Sequence, residues 1–119
     1  LIENNLLDKL KKIGTEVHVR SIFLQGLLFK KNVDSYFFKW KKIFTYFRKW
    51  TKNNHLSNLE GSLFFILNYP KIDKIIIGVE DVNQIKALNE AINKYRYIEY
   101  PKDLESSDIN LINPTKWVL

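Results

Sequence analysis

The sequence predicts an α/β fold resting on a parallel sheet, with two strands separated by a long helical insertion. Three observations carry that prediction. Two short runs, Val17-His18-Val19-Arg20-Ser21-Ile22 and Asp73-Lys74-Ile75-Ile76-Ile77-Gly78-Val79, are rich in β-branched residues, as strands are. Apolar residues at helical spacing fill much of the chain around them. A very short link joins the first helix to the first strand, as in the αβ half of a βαβ repeat. Strands alternating with helices imply a parallel sheet with right-handed crossovers. Two strands cannot complete a sheet, a barrel or a doubly wound core, so the chain is expected to be part of a larger structure.

Each element follows from local chemistry. Leu6, Leu7, Leu10 and Ile13 place a helix over 2–13, with Lys9, Lys11 and Lys12 late in it and Gly14 as its stop. The first strand covers 16–22 and breaks into Gln25-Gly26, a flexible turn between apolar residues. Asp34 and Ser35 are candidate caps for a helix over 35–52, where Phe37, Trp40, Phe44 and Phe47 form a stripe. Ser57-Asn58-Leu59-Glu60 has the form of a capping box, so a second helix covers 57–68 and stops before Pro70. The second strand, 73–78, holds a short apolar run of β-branched residues, of the kind buried on both faces. Asp81 caps a helix over 82–95, whose inward face should be Val82, Ile85, Leu88, Ala91 and Ile92. The tail, 96–119, holds Pro101 and Pro114 without a sustained period and should wrap the surface as irregular chain.

Composition bounds the function. The chain has 119 residues, 45% hydrophobic and 27% charged, which suits one globular domain or a piece of one. It has no cysteine, which excludes disulfides and thiolate metal sites and fits a cytoplasmic location. No apolar run approaches the roughly 20 residues of a membrane span, so no membrane partner is expected. The chain opens on Leu1 and lacks methionine, so its first residue is not expected to be a translation start. A net charge of +6 permits binding to phosphates or nucleic acid without specifying either. Most of that excess lies between Lys30 and Lys52.

Two stretches could carry chemistry. Ile77-Gly78-Val79-Glu80-Asp81-Val82 runs from a strand through Gly into a capped helix, whose free amides can hold a phosphate, although Glu80 and Asp81 oppose a highly charged ligand. In 36–52, lysines interleave with Trp40, Phe44, Tyr46, Phe47 and Trp50, as in proteins that stack bases and neutralise phosphates. Helical spacing puts most of these aromatics on one face, which favours core packing over nucleic-acid binding. His18 and His55 have no partner at metal-ligand spacing, and no P-loop or G-x-G-x-x-G element is present. Arg20, at the end of a strand expected to be buried, should face a carboxylate, a ligand or the open mouth of the sheet.

The stretch Val17–Leu28 resembles the seventh strand and following loop of the aldo/keto reductase family, in a bacterial branch. Ile75–Ile85 resembles the eighth strand and the start of the last helix of that family, and Asn113-Pro114-Thr115-Lys116-Trp117 is similar to the tail of the same branch. The resemblance covers nearly the whole chain. It implies that residues 1–119 are the C-terminal portion of a (β/α)8 TIM barrel, an NAD(P)H-dependent oxidoreductase that reduces a small carbonyl substrate. Residue by residue, it places Arg20 against the nicotinamide, where many members stack an aromatic. Ser21, Ile22 and Phe23 follow toward the pyrophosphate, and Gln25 and Gly26 line the cofactor channel. Ile77, Gly78 and Val79 fall at the adenosine phosphate region. Gln84 stands where many members carry an Arg for the adenine or 2′-phosphate.

The cofactor implied is NADP(H) or NAD(H), and a neutral Gln84 beside Glu80 and Asp81 weakens the case for NADP(H). The catalytic Asp, Tyr, Lys and His of the family come from the first half of its barrel. No residue of this chain inherits those roles, and the 119 residues alone are expected to be inactive. Their open sheet edges and apolar faces are expected to drive self-association. The alternative is a stand-alone basic and aromatic helical module that binds nucleic acid or protein.

Overall fold

The structure, a computed structural model, describes residues 5–119 and is a mixed α/β arrangement with one two-stranded parallel sheet. Helix α1 (Leu6–Lys12) ends where Gly14 takes a φ of 75°. There the Gly14 amide donates to the Lys11 carbonyl at 3.1 Å and the Thr15 amide to the Leu10 carbonyl at 3.0 Å, a Schellman closure. The expected helix 2–13 begins partly outside the described residues.

Strands β1 (His18–Arg20) and β2 (Lys74–Ile76) pair in parallel, His18 opposite Lys74, Val19 opposite Ile75 and Arg20 opposite Ile76. Both are shorter than the 16–22 and 73–78 that the sequence predicts. Ser21 adopts a left-handed φ of 60° and turns the chain out of the ladder, which leaves Ile77 and Gly78 without a partner strand. Nor are the strands buried on both faces: each runs exposed, half-buried, exposed, because a two-stranded sheet leaves edges and a face uncovered. Arg20 is accordingly exposed, not the buried guanidinium that the sequence suggests.

The pairing is anchored at its N-terminal end by Asp73. Its carboxylate accepts the Val17 amide at 2.7 Å and Lys11 Nζ at 2.6 Å. Its own amide donates to the Val17 carbonyl at 2.9 Å. Asp8 pairs with Lys71 alongside, so α1 is tied to the segment entering β2. The Lys11 and Val17 donors favour the charged form and hold the Asp73 carboxyl below its ordinary range.

Between the strands lies the helical insertion. Asp34 Oδ1 accepts the Tyr36 amide at 3.0 Å and opens a 3-10 turn, Ser35–Trp40, which passes into α2 (Lys41–Asn53). The 3-10 geometry replaces the first turns of the helix expected over 35–52. It suits the three-residue step from Phe37 to Trp40, since residues three apart eclipse in that helix. Ser57 and Glu60 form the capping box of α3 (Asn58–Leu67), with Glu60 N–H donating to Ser57 Oγ at 3.1 Å and Ser57 N–H to Glu60 Oε2 at 2.7 Å.

Helix α2 serves two cores. Phe44 joins Leu27, Phe37, Trp40 and Leu111 in one; Phe47 and Trp50 join Leu63, Phe64, Ala91 and Ile98 in the other. Gly61 of α3 lets the two helices meet: a Cβ there would come within 2.6 Å of Thr51 Cγ2 and 3.3 Å of the Phe47 ring. Buried Thr51 Oγ1 lies 3.0 Å from both the Arg48 carbonyl and Asn58 Oδ1, so the close contact leaves no polar atom stranded.

Helix α4 (Val82–Asn93) is capped by Asp81, whose Oδ1 accepts the Gln84 amide at 2.9 Å. Its expected inward face is only partly inward. Ala91 is buried and Leu88 half-buried, but Val82, Ile85 and Ile92 are exposed at 63%, 52% and 52%. Few elements lie close enough to cover this helix. The tail is more structured than its sequence suggests. It holds 3-10 turns at Lys102–Leu104 and Pro114–Lys116 and a single helical turn, α5 (Ile109–Ile112). It also puts Ile98 and Leu111 into the two cores. Tyr100 donates to the Gly61 carbonyl at 2.5 Å, and burial raises the pKa of its hydroxyl. Trp40 Nε1 donates to Asp108 at 3.0 Å, and Trp117 meets Phe37 edge-on at 4.8 Å. Among the described residues no helix is long and apolar enough to cross a membrane.

Gly61→Ala should destabilise by about 1–3 kcal/mol despite the better helix propensity of Ala, because the added methyl overpacks against Thr51 and Phe47. Denaturant unfolding measures it, and a neutral or stabilising change would show that the helices separate freely. Asp73 is more acidic folded than unfolded, so its contribution is complete above the ordinary value of 3.8 and fades as pH falls through the lower folded-state value. The thermal midpoint of the unaltered chain should therefore drop more steeply below about pH 4 than that of Asp73→Asn.

Candidate ligand cleft at the strand ends

Both strands point their C-terminal ends the same way, because they are parallel, so the loops that follow them meet. Between these loops and the start of α4 lies a cleft of about 960 Å³. That volume accommodates an extended small molecule. Residues Arg20–Phe23, Gln25 and Gly26 form one wall, and Ile76–Asp81 with Asn83 and Gln84 form the other. All ten residues singled out from the sequence line it: Arg20, Ser21, Ile22, Phe23, Gln25, Gly26, Ile77, Gly78, Val79 and Gln84.

The first wall is unusual backbone. Ser21, Leu24, Gln25 and Gly26 all take left-handed φ angles, of 60°, 49°, 52° and 76°. Three of the four carry side chains, a costly conformation that clusters at ligand-contacting segments. Successive tight turns hold it. The Leu24 amide donates to the Ser21 carbonyl, the Gly26 amide to Phe23 and the Leu27 amide to Leu24, all within 3.1 Å. Phe23 packs on Phe29 at a centroid distance of 4.9 Å. The amides of Ile22, Phe23 and Gln25 have no acceptor among the described residues. A turn-rich segment that leaves successive amides free suits an anion.

The second wall is more self-contained. Gln84 Oε1 accepts the Glu80 amide at 2.9 Å, so the Gln84 side chain reinforces the helix start while Asp81 caps it. Three charged side chains line the cleft: Arg20 on the first wall, Glu80 and Asp81 on the second. The field is therefore uneven, with the guanidinium and free amides on one side and carboxylates on the other. An elongated ligand with anionic and neutral parts fits that pattern.

Several lining residues were not expected. Phe29, Leu59, Asn83, Ala87 and Leu88 also reach the cleft. Leu88 has the spacing of a core-facing position, and nothing in that spacing distinguishes a core contact from a cleft contact. Neither histidine lines it. His18 Nε2 stands 3.0 Å from Glu16 near the other end of β1, and His55 takes a φ of 56° just after α2. Lys74 first, and His18 second, hold the Glu16 carboxyl below its ordinary range. No cluster of three His, Cys, Asp or Glu side chains capable of holding a metal occurs among the described residues. Comparison with protein-family models, with curated proteins and with solved structures finds no match to this chain.

Proposed function

We propose that this chain supplies the cofactor-binding end of a (β/α)8 barrel of the aldo/keto reductase type, with β1 and β2 as its seventh and eighth strands. The observation that carries this is the convergence of all ten resemblance-derived residues on one cleft at the C-terminal ends of two adjacent parallel strands. In parallel α/β folds and barrels, ligands bind at that end of the sheet.

The chemistry of the lining fits a nicotinamide dinucleotide. The planar Arg20 guanidinium would stack on the nicotinamide. The free amides of Ile22, Phe23 and Gln25 would take the pyrophosphate, and Gly78 leaves the backbone open beside the adenosine portion. A dinucleotide held there would supply hydride for the carbonyl of a small aldehyde or ketone. Glu80 and Asp81 disfavour a 2′-phosphate, and Gln84 is engaged at the helix start, so NAD(H) is preferred over NADP(H). Among the described residues no His, Tyr or Lys side chain lines the cleft to serve as a general acid toward a carbonyl. The acid would come from the rest of the barrel, and the 119 residues alone would bind cofactor without turnover. The exposed Val82, Ile85 and Ile92 belong to surface that further barrel elements would cover, so the isolated chain should self-associate.

Fluorescence titration should show NADH binding more tightly than NADPH. Arg20→Ala should weaken NADH binding roughly 2- to 30-fold, the range of a guanidinium–aromatic contact. Binding of neither nucleotide would overturn the assignment, and an unchanged Arg20→Ala would remove Arg20 from the site. Light scattering across concentration should show a mass above the monomer, and a monomer at all concentrations would contradict the uncovered-barrel account.

A further inference from the structure

The geometry points to a second site, independent of the cleft: a single-stranded nucleic-acid groove on the outer side of α2. Between Lys30 and Lys52 the sequence carries eight Lys and Arg against one acidic residue, Asp34, while the whole chain carries only +6. The charge is thus almost wholly local. The structure divides the aromatics of this segment between two faces. Phe37, Trp40, Phe44, Phe47 and Trp50 are buried, whereas Phe38 is 61% and Tyr46 37% exposed. Phe38 and Tyr46 line one open groove with Lys39, Lys41, Lys42 and Lys49. Phe38, Lys42, Thr45 and Lys49 recur at four, three and four residues, one or two positions along from the buried stripe. The helix that feeds the core therefore presents this second face outward.

Two features favour an anionic polymer with free base faces. Among the described residues, none of the four lysines forms an ion pair, and no acidic side chain lines the groove. Lys39 feels the Asp108 carboxylate, but Asp108 already accepts hydrogen bonds from Trp40 Nε1 and the Asn110 amide. Lys39 Nζ sits 4.0 Å over the Trp40 ring, which holds its ammonium at the groove edge. Cations to neutralise phosphates beside exposed rings on which unpaired bases stack are the working parts of a single-strand surface. A lipid surface fits less well, since α2 turns its apolar face inward and offers only two rings among four lysines.

Fluorescence anisotropy of labelled oligo(dT) with the 119-residue chain tests this. Neutralisation of about four phosphates predicts a slope near −3 in log K against log salt, roughly a 50-fold loss between 50 and 200 mM. Phe38→Ala with Tyr46→Ala, both exposed, should weaken binding at least 5-fold and leave the salt slope unchanged. Lys42→Gln with Lys49→Gln should flatten the slope by about 1.4. An excess of NADH should not displace the oligonucleotide, which separates this groove from the cleft. Absence of binding, indifference to both double variants, or tighter binding to anionic phospholipid vesicles than to oligo(dT) would overturn the proposal.

Discussion

The parallel pairing of β1 with β2 is the constraint on which the candidate cleft depends. Three residues from each strand form it, and so short a two-stranded pair is not stable by itself. Asp73 makes it hold. One side chain satisfies the Val17 amide, its own amide reaches back to the Val17 carbonyl, and its charge draws in Lys11 from α1. That bracket also sets the register. A slip of one residue would move Arg20 away from Ile76 and exchange the faces of every strand residue, and the two walls of the cleft would no longer oppose each other.

Helix α2 is the second organising element, because it carries apolar surface into both cores. Phe44 and Phe47 are only three residues apart, yet they belong to different clusters. The 3-10 turn before α2 swings Phe37 and Trp40 toward Leu111 and Trp117, and the later turns carry Phe47 and Trp50 toward α3 and Tyr100. Gly61 matters for the same reason. Without a side chain there, α3 can lie close enough to α2 for Thr51 and Phe47 to fill the space. The tail is then held by the aromatics it covers, through Trp40–Asp108, Trp117–Leu111 and Tyr100–Gly61 hydrogen bonds.

What was legible in the sequence was local and directional. Asp34, Ser57 and Asp81 cap the elements that follow them, because a side-chain oxygen before an apolar period has few other uses. The stripe of Phe37, Trp40, Phe44 and Phe47 is buried for an equally local reason. The meeting of the two strand-end loops was legible too, since parallel neighbours must share an end. Less legible was whatever depends on missing or distant partners. Val82, Ile85 and Ile92 have the spacing of an inward face, but spacing does not say whether anything lies opposite. Ile98 and Leu111 have no period around them, and only the tertiary path brings them inside. The left-handed Ser21, Leu24 and Gln25 give no sign in the sequence, where Gly26 alone advertises a positive φ.

The chain's charge is distributed in a way that separates its two candidate surfaces. The cleft holds one cation against two carboxylates, whereas the outer face of α2 gathers four lysines with no acidic side chain. The screening length at physiological salt, about 8 Å, limits how far either field reaches through solvent. The same separation explains why net charge alone was a poor guide to function. A total of +6 suggests a uniformly basic protein, but the segment Lys30–Lys52 carries more than that total, and its helix turns its opposite face into the aromatic core. The helical period performs that division. Rotating one position along the stripe exchanges Phe37 for Phe38 and Phe44 for Thr45, and with them a packed interior for an open basic groove.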